Sequence, residues 1–305
     1  MIMERGDDSG RAEGQGSSLI LVTGATGHVG HEVLRELAGH RARVRAMTRR
    51  PESLRTDPWV EVVRGDFDDP ESLDAALDGV HAVFSMSAQP IFAEPAPTHD
   101  VALAEACRRA RVRLIVKLSV LGGGGHDPES PIVRWVRAAE STVTASGAEW
   151  TLLRPGRFMS NTLAWAPMIR RGGEVSIPMA HRRTASIDPA DVASVAVLAF
   201  TSDGHAGRAY ELSGPEALTP AEELDILSQA LGRPLRLNAL SNEAARAGML
   251  RYGMPDIVVD SILADARSEH GSEVLPTVQA LLGRPPRRFA DWVAARRSEF
   301  APEAS

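Results

Sequence analysis

The chain has 305 residues, 43% of them apolar, and its 34 Lys and Arg against 40 Asp and Glu leave a net charge of −6. That is ample for a buried core, and an acidic chain without a long basic run argues against nucleic acid as a partner. No stretch of about 18 consecutive apolar residues occurs, and residues 1–17 are rich in Gly, Ser and charge, which excludes a membrane span or signal peptide and predicts a disordered tail on a cytoplasmic chain. Cys107 is the single cysteine, so disulfides and cysteine metal sites are excluded, and its place among alanines and leucine reads as a small buried helix residue. His28 and His31 have no carboxylate partner nearby and read as loop and surface residues rather than metal ligands.

Leu19 to Val22 reads as a buried first strand that passes directly into Thr-Gly24-Ala-Thr26-Gly27-His28-Val29-Gly30. Glycines three apart between a strand and a helix are a phosphate-binding turn: Gly24 permits the tight bend, Gly27 lets backbone amides approach a pyrophosphate, and Gly30 lets the helix pack on the strand. The following segment, His31 to Ala38, carries apolar residues at helical spacing and ends at Gly39. Further strands are predicted over Arg43 to Thr48, Trp59 to Asp66, Ala82 to Met86, Leu114 to Val120 and Trp150 to Pro155. Helical segments lie between them, one capped by Asp69 before Pro70 and another over Pro131 to Ser146. The alternation predicts an α/β fold, a Rossmann-type doubly wound parallel sheet over residues 18–156. Beyond residue 157 it loosens, with capped helices starting near Asp188 and Thr219 and a nearly all-helical last stretch, which predicts a smaller substrate lobe over 157–305, some of whose segments return to the sheet.

Where such a fold holds NAD, an acidic residue about twenty positions past the glycines takes the ribose hydroxyls. Here the second strand ends in Arg49-Arg50 instead, two guanidinium groups where a 2′-phosphate would sit, so NADPH is the expected cofactor. Asp66, followed by Phe67, is placed to accept from the adenine amino group or to cap a turn, and Ser85 and Ser87 at the end of the fourth strand complete the expected cofactor set.

These features, with Ser146 to Met159 (SGAEWTLLRPGRFM) and Ile187-Asp188-Pro-Ala-Asp191-Val-Ala, resemble the NmrA-like atypical short-chain dehydrogenase/reductases from Ser18 to about Phe300. The resemblance implies NAD(P)H-dependent quinone, azo or ketone reduction, or a regulator that binds the nucleotide without turning it over. It also implies that Arg154-Pro155-Gly156 is the turn beside the nicotinamide, with Pro155 and backbone atoms on the carboxamide and Phe158, Met159 and Asn161 on the substrate side. In the wider superfamily a Ser at the end of the fifth strand works with a Tyr and a Lys on the next helix. Ser119 matches the serine, but counting back from Glu140 the Tyr and Lys positions fall near Ile132 and Val136, and the two tyrosines, Tyr210 and Tyr252, lie far downstream.

Reduction then needs another donor for the developing oxyanion and another proton source. Ser119 is one candidate, or else a hydroxyl satisfying backbone at a strand end. Lys117, the only lysine, shares its side of the strand and reaches either cofactor and substrate or a structural ion partner. His126, in the loop after four glycines, is the group there with a pKa naturally near neutrality and is the candidate proton source. Gln89 and Phe92 after the fourth strand are expected pocket walls. Because a quinone, or a ketone beside a phenol, stabilises its own oxyanion, the expected activity is NADPH-dependent reduction of a quinone or aromatic ketone by a monomer or homodimer. An NADP(H)-sensing regulator is the alternative, and an isomerase or dehydratase on the same fold is the third reading.

Overall fold

The structure, a computed structural model, describes residues 18–40, 42–87, 89, 96–124, 127–265 and 271–301. In chain order these form β1 (Leu19–Val22), α1 (His28–Gly39), β2 (Arg43–Thr48), β3 (Val60–Arg64), α2 (Pro70–Ala76), β4 (Ala82–Ser85), α3 (Thr98–Ala110), β5 (Leu114–Leu118), α4 (Pro131–Thr144) and β6 (Glu149–Pro155). There follow α5 (Ala166–Gly172), β7 (Glu174–Ile177), α6 (Pro189–Thr201), β8 (Arg208–Leu212), α7 (Pro220–Leu231), β9 (Arg236–Ala239), α8 (Asn242–Arg251), α9 (Asp256–Asp265), α10 (Thr277–Leu282), α11 (Phe289–Ala295) and α12 (Arg297–Phe300).

Seven strands make one sheet in the order β3-β2-β1-β4-β5-β6-β8, every neighbouring pair parallel. All four residues of β1 are buried because alternate side chains feed opposite layers. Leu19 and Leu21 pack with Leu73, Leu103 and Val143 beneath α2, α3 and α4, whereas Ile20 and Val22 pack with Val33, Leu37 and Val195 beneath α1 and α6. The strand order turns back between β1 and β4, which puts the crevice for a ligand at the carboxyl ends of those strands. Among the described residues no helix is long and apolar enough to cross a membrane.

The chain beyond residue 157 divides its loyalties. β8 pairs with β6 in the sheet and α6 packs along α1, so two elements of this half complete the dinucleotide-binding layers. α10 packs on α6 and β8 and α9 on α4, and most of the remainder forms a lobe around Met159, Trp165, Ile169, Leu224, Leu227, Phe289, Trp292 and Phe300. Its framework includes a two-stranded parallel ribbon, β7 with β9, where the sequence predicts only helix and loop.

Candidate functional site

The turn after β1 is shaped by glycine. Gly24 sits at φ +63°, and a Cβ on Gly30 would overlap the Gly24 carbonyl oxygen. Only a bare backbone lets α1 approach β1 this closely. Gly27 is the N-cap of α1, has extended backbone angles (φ −86°, ψ 167°) and supplies no side-chain cap; its own amide donates to the Gly24 carbonyl at 2.9 Å. The amides of His28, Val29 and Gly30 form the first helical turn and so lack intrahelical acceptors. With the positive end of the helix dipole, they make an anion cradle at the crevice. Thr26 and His28 are exposed beside it, whereas the Val29 side chain is core and only its backbone faces the cradle. The Thr23 hydroxyl accepts from the Met86 amide at 2.8 Å and so ties the ends of β1 and β4 together below the turn. Ser87 is partly exposed at the same edge. Ser85, the last residue of β4, is 1% exposed.

Arg49 and Arg50 directly follow β2, both exposed, and neither is ion-paired to an acid among the described residues. Asp66 follows β3, where its carboxylate accepts from the Asp68 amide at 3.2 Å and its own amide donates to Ser72. That is the turn-capping role. Phe67 stacks on His99 with ring centroids 4.9 Å apart.

Next to the crevice lies a buried charge network. Lys117 on β5 pairs with Asp100 on α3 at 2.7 Å, both nearly inaccessible, the structural ion pair that was one of its two expected roles. One turn of strand further on, Ser119 donates to Glu140 on α4 at 2.5 Å, and Glu140 receives a bidentate pair from Arg154 on β6 at 2.8 and 2.7 Å. Burial pushes the Glu140 carboxyl up, but the hydrogen bonds from Arg154 and Ser119 win and hold it below its ordinary range. The same pair raises Arg154. Glu140 therefore contributes stability that is complete above its unfolded pKa of about 4.3 and is lost as pH falls through its depressed folded value. Glu140→Gln is expected to flatten this acid limb, read as the slope of melting temperature between neutral pH and about pH 3. An unchanged slope would mean that the network carries no linkage. Val136 is 3% exposed and clusters with Trp135, Ala139 and Ile132 as the apolar face of α4, so the positions matched to Tyr and Lys are packing residues. His126 and Phe92 lie outside the described residues.

A cavity of about 390 Å³ opens between the carboxyl ends of β5 and β6 and the small lobe. Leu121, Trp165, Ile177, Pro178 and Met179 give it an apolar wall, and Arg157, Asn161, Arg182, Thr184 and Asp265 are its polar points, Arg182 and Asp265 being ion-paired at 2.7 Å. Gly156 borders it, directly after the buried Pro155. Asn161 was expected here from sequence. Phe158 is half-buried against the core under α6. Met159 is wholly buried in the lobe core, at the start of the 3-10 turn Met159–Trp165, and does not line the cavity. Gln89 does not line this cavity. It is 8% exposed and braces the start of α3, accepting from the His99 amide and donating to the Ala96 carbonyl, both at 3.2 Å. Sequence reasoning missed Arg157, Trp165 and the 177–184 segment. Met179, at φ +53°, holds a left-handed backbone that a non-glycine residue seldom adopts, and it does so at the cavity wall.

The comparisons agree with this geometry. A family of NAD(P)H-binding proteins matches residues 24–203. A (4-alkanoyl-5-oxo-2,5-dihydrofuran-3-yl)methyl phosphate reductase of Streptomyces griseus is 46% identical over 93% of this chain and 100% of its own length. An NAD(P)H azoreductase of Xenophilus azovorans is 36% identical over 92% of this chain and 99% of its own. The solved structure of the NADPH-dependent quinone oxidoreductase QOR2 of Escherichia coli with NADPH superposes with a TM-score of 0.75 at 27% identity, covering 91% of this chain and 99% of that one. The glycine cradle, uncapped helix terminus and free arginines fit such a cofactor. The chain thus belongs to the NAD(P)H-binding family and is an NAD(P)H-dependent oxidoreductase.

Proposed function

We propose that the protein reduces a quinone or an aromatic ketone at the expense of NADPH, in the cavity bordered by Gly156 and Trp165. The observation that carries this reading is the cavity itself: a space of about 390 Å³ at the carboxyl ends of β5 and β6, with an apolar wall that includes Trp165 and charged points at Arg157, Arg182 and Asp265. Such a wall suits a flat conjugated molecule. Bound NADPH supplies the hydride. The first turn of α1 holds the pyrophosphate through its amides, Arg49 and Arg50 meet the 2′-phosphate, and the turn at Pro155 and Gly156 orients the nicotinamide end. Trp165 and the 177–179 segment exclude water from the face that receives the hydride.

The acceptors named for the three relatives share one property. A quinone, an azo bond and an alkanoyl-substituted oxo-dihydrofuran each spread the incoming electron pair over a conjugated system. That accounts for a helix α4 with Ile132 and Val136 where a tyrosine and a lysine would otherwise supply an acid. The high identity to the Streptomyces griseus enzyme supports a second reading within the same chemistry, reduction of a carbon–carbon double bond activated by neighbouring carbonyls.

The test is oxidation of NADPH, followed by its absorbance, with purified protein and a panel of quinones, hydroxylated aromatic ketones and acyl-substituted unsaturated lactones. Turnover confined to the lactones would select the second reading, and no turnover with any of the three would overturn both. In the same assay Arg49→Ala/Arg50→Ala is expected to raise the KM for NADPH by at least about tenfold and to leave that for NADH nearly unchanged, because each guanidinium–phosphate contact is a charge-assisted hydrogen bond worth roughly 1.5–3 kcal/mol. Equal losses for the two cofactors would remove the assignment.

A further inference from the structure

The polar groups expected to meet the developing charge are already engaged: Lys117 with Asp100, and the Ser119 hydroxyl with Glu140. Arg157 is only half engaged. Its guanidinium donates from Nη1 alone, to Ser186 Oγ at 2.7 Å and to Glu223 Oε1 at 2.6 Å, so Nε and Nη2 carry donors with no acceptor among the described residues. Those two hydrogen bonds end on side chains that are themselves buried, Ser186 at 4% and Glu223 at 1% exposure, whereas Arg157 borders the cavity. The guanidinium also lies 5.9 Å from the ring centroid of Trp165, which lines the same space. Its backbone is equally fixed: the Arg157 carbonyl accepts from the Ile187 amide at 2.9 Å. A cation held on one edge by buried partners, flanked by an aromatic face and open on its other edge, is a preorganised donor.

We propose that Arg157 is a catalytic residue, donating through its free edge to the substrate oxygen on which negative charge collects during reduction. The proposal rests on the reductase reading of the same cavity. As hydride forms a bond to an electron-poor atom of the acceptor, the π pair of the conjugated system moves onto its carbonyl oxygen and the nicotinamide is left oxidised. Arg157 stabilises that oxyanion, which then takes a proton from water. Arginine remains protonated throughout the working pH range, so it acts as a fixed electrostatic donor and not as an acid. Turnover is accordingly expected to be flat between about pH 6 and 8, where a histidine proton donor would titrate.

Removing Arg157 alone would leave Glu223 buried without its counter-charge, and burial already pushes that carboxyl up. The informative protein is therefore Arg157→Gln/Glu223→Gln, which deletes both charges and keeps the shapes. It is expected to melt within a few degrees of the parent and to bind NADPH as well, yet to lose about 10²-fold or more in kcat. The loss should be largest for quinones whose reduced products are least acidic. In Arg157→Ala, free guanidinium ion is expected to restore part of the rate. A folded double variant with kcat within threefold of the parent, or a loss independent of acceptor acidity, would overturn the proposal. Binding of para-nitrophenol, an inert probe whose phenolate is visible, separates this claim from the reductase reading. The parent should lower the phenol's apparent pKa on binding and the double variant should not, whether or not any acceptor is turned over. Equal phenolate binding by both proteins would equally overturn it.

Discussion

Gly27→Val is expected to fold and to bind NADPH at least about 100-fold more weakly, a loss of roughly 3 kcal/mol. The backbone at Gly27 is extended with φ −86°, an angle that any residue adopts, so no strain penalty follows from conformation. A Cβ there would lie 3.3 Å from the Gly24 carbonyl oxygen and 3.8 Å from the Met86 side chain, close contacts that shifts of a few tenths of an ångström relieve. The branched methyls would add bulk at the N-cap, next to the first-turn amides of α1. That is the volume a pyrophosphate needs in order to reach those amides, and an anion held further off loses both the hydrogen bonds and most of the dipole interaction. Gly30 would not serve as the probe, since a Cβ there overlaps backbone and would displace the helix itself. Calorimetric titration of NADPH into a variant with a parent-like melting curve decides the matter. Unchanged affinity would mean that the phosphates are held elsewhere.

The glycine turn was readable in the sequence because three independent signals coincide on it: a strand buried on both faces, glycines at fixed offsets, and a helix of regular apolar spacing. Rossmann topology follows from the same alternation. The edge strand β8 was not readable. In Arg208-Ala-Tyr-Glu-Leu only Leu212 is buried, so the segment carries none of the apolar pattern that marks the central strands, and it is held by backbone pairing to β6. The small ribbon β7–β9 was invisible for a related reason: its strands are four residues each and lie about sixty positions apart.

The site divides along the same line. Cofactor groups sit at strand ends and are addressed by local sequence. The cavity draws instead on stretches near 157–165 and 177–184 and on Asp265 and Gly271, assembled by contacts such as the Thr184–Leu218 bridge and the β7–β9 pairing, and no spacing rule links them. Gln89 and Met159 stand close to the crevice in sequence; in the fold one braces a helix start and the other fills the lobe core. One signal for Arg157 was available and went unused. An arginine set between Pro155-Gly156 and the apolar pair Phe158-Met159 is a charge in a stretch otherwise destined for burial, and such a charge must find a partner or a ligand. It has both a partner, Glu223, and a free edge.

Lys117 carried that same signal, and its partner implies a large effect on stability. Lys117→Met is expected to destabilise the protein by about 3–5 kcal/mol, the usual consequence of removing one member of a buried ion pair. Methionine replaces the apolar stem of lysine, so packing changes little and the effect isolates the charge. Asp100 is 1% exposed and its second carboxylate oxygen has no hydrogen-bond partner among the described residues, so nothing nearby takes over from the ammonium. The carboxylate must then either take up a proton within the fold or pull α3 away from β5. Asp100→Leu/Lys117→Met removes both charges and is expected to recover most of the loss, as apolar replacements of buried pairs often do. Urea midpoints at constant slope give the comparison, and the cycle of single and double variants separates the pair from packing changes. Turnover supplies the second reading. If Lys117 is structural, the stabilised double variant keeps the rate of the parent once saturated with NADPH. A double variant as stable as the parent but slower by more than about tenfold would instead give the ammonium a part in hydride transfer, because a group that only pairs with Asp100 cannot be missed when both are gone.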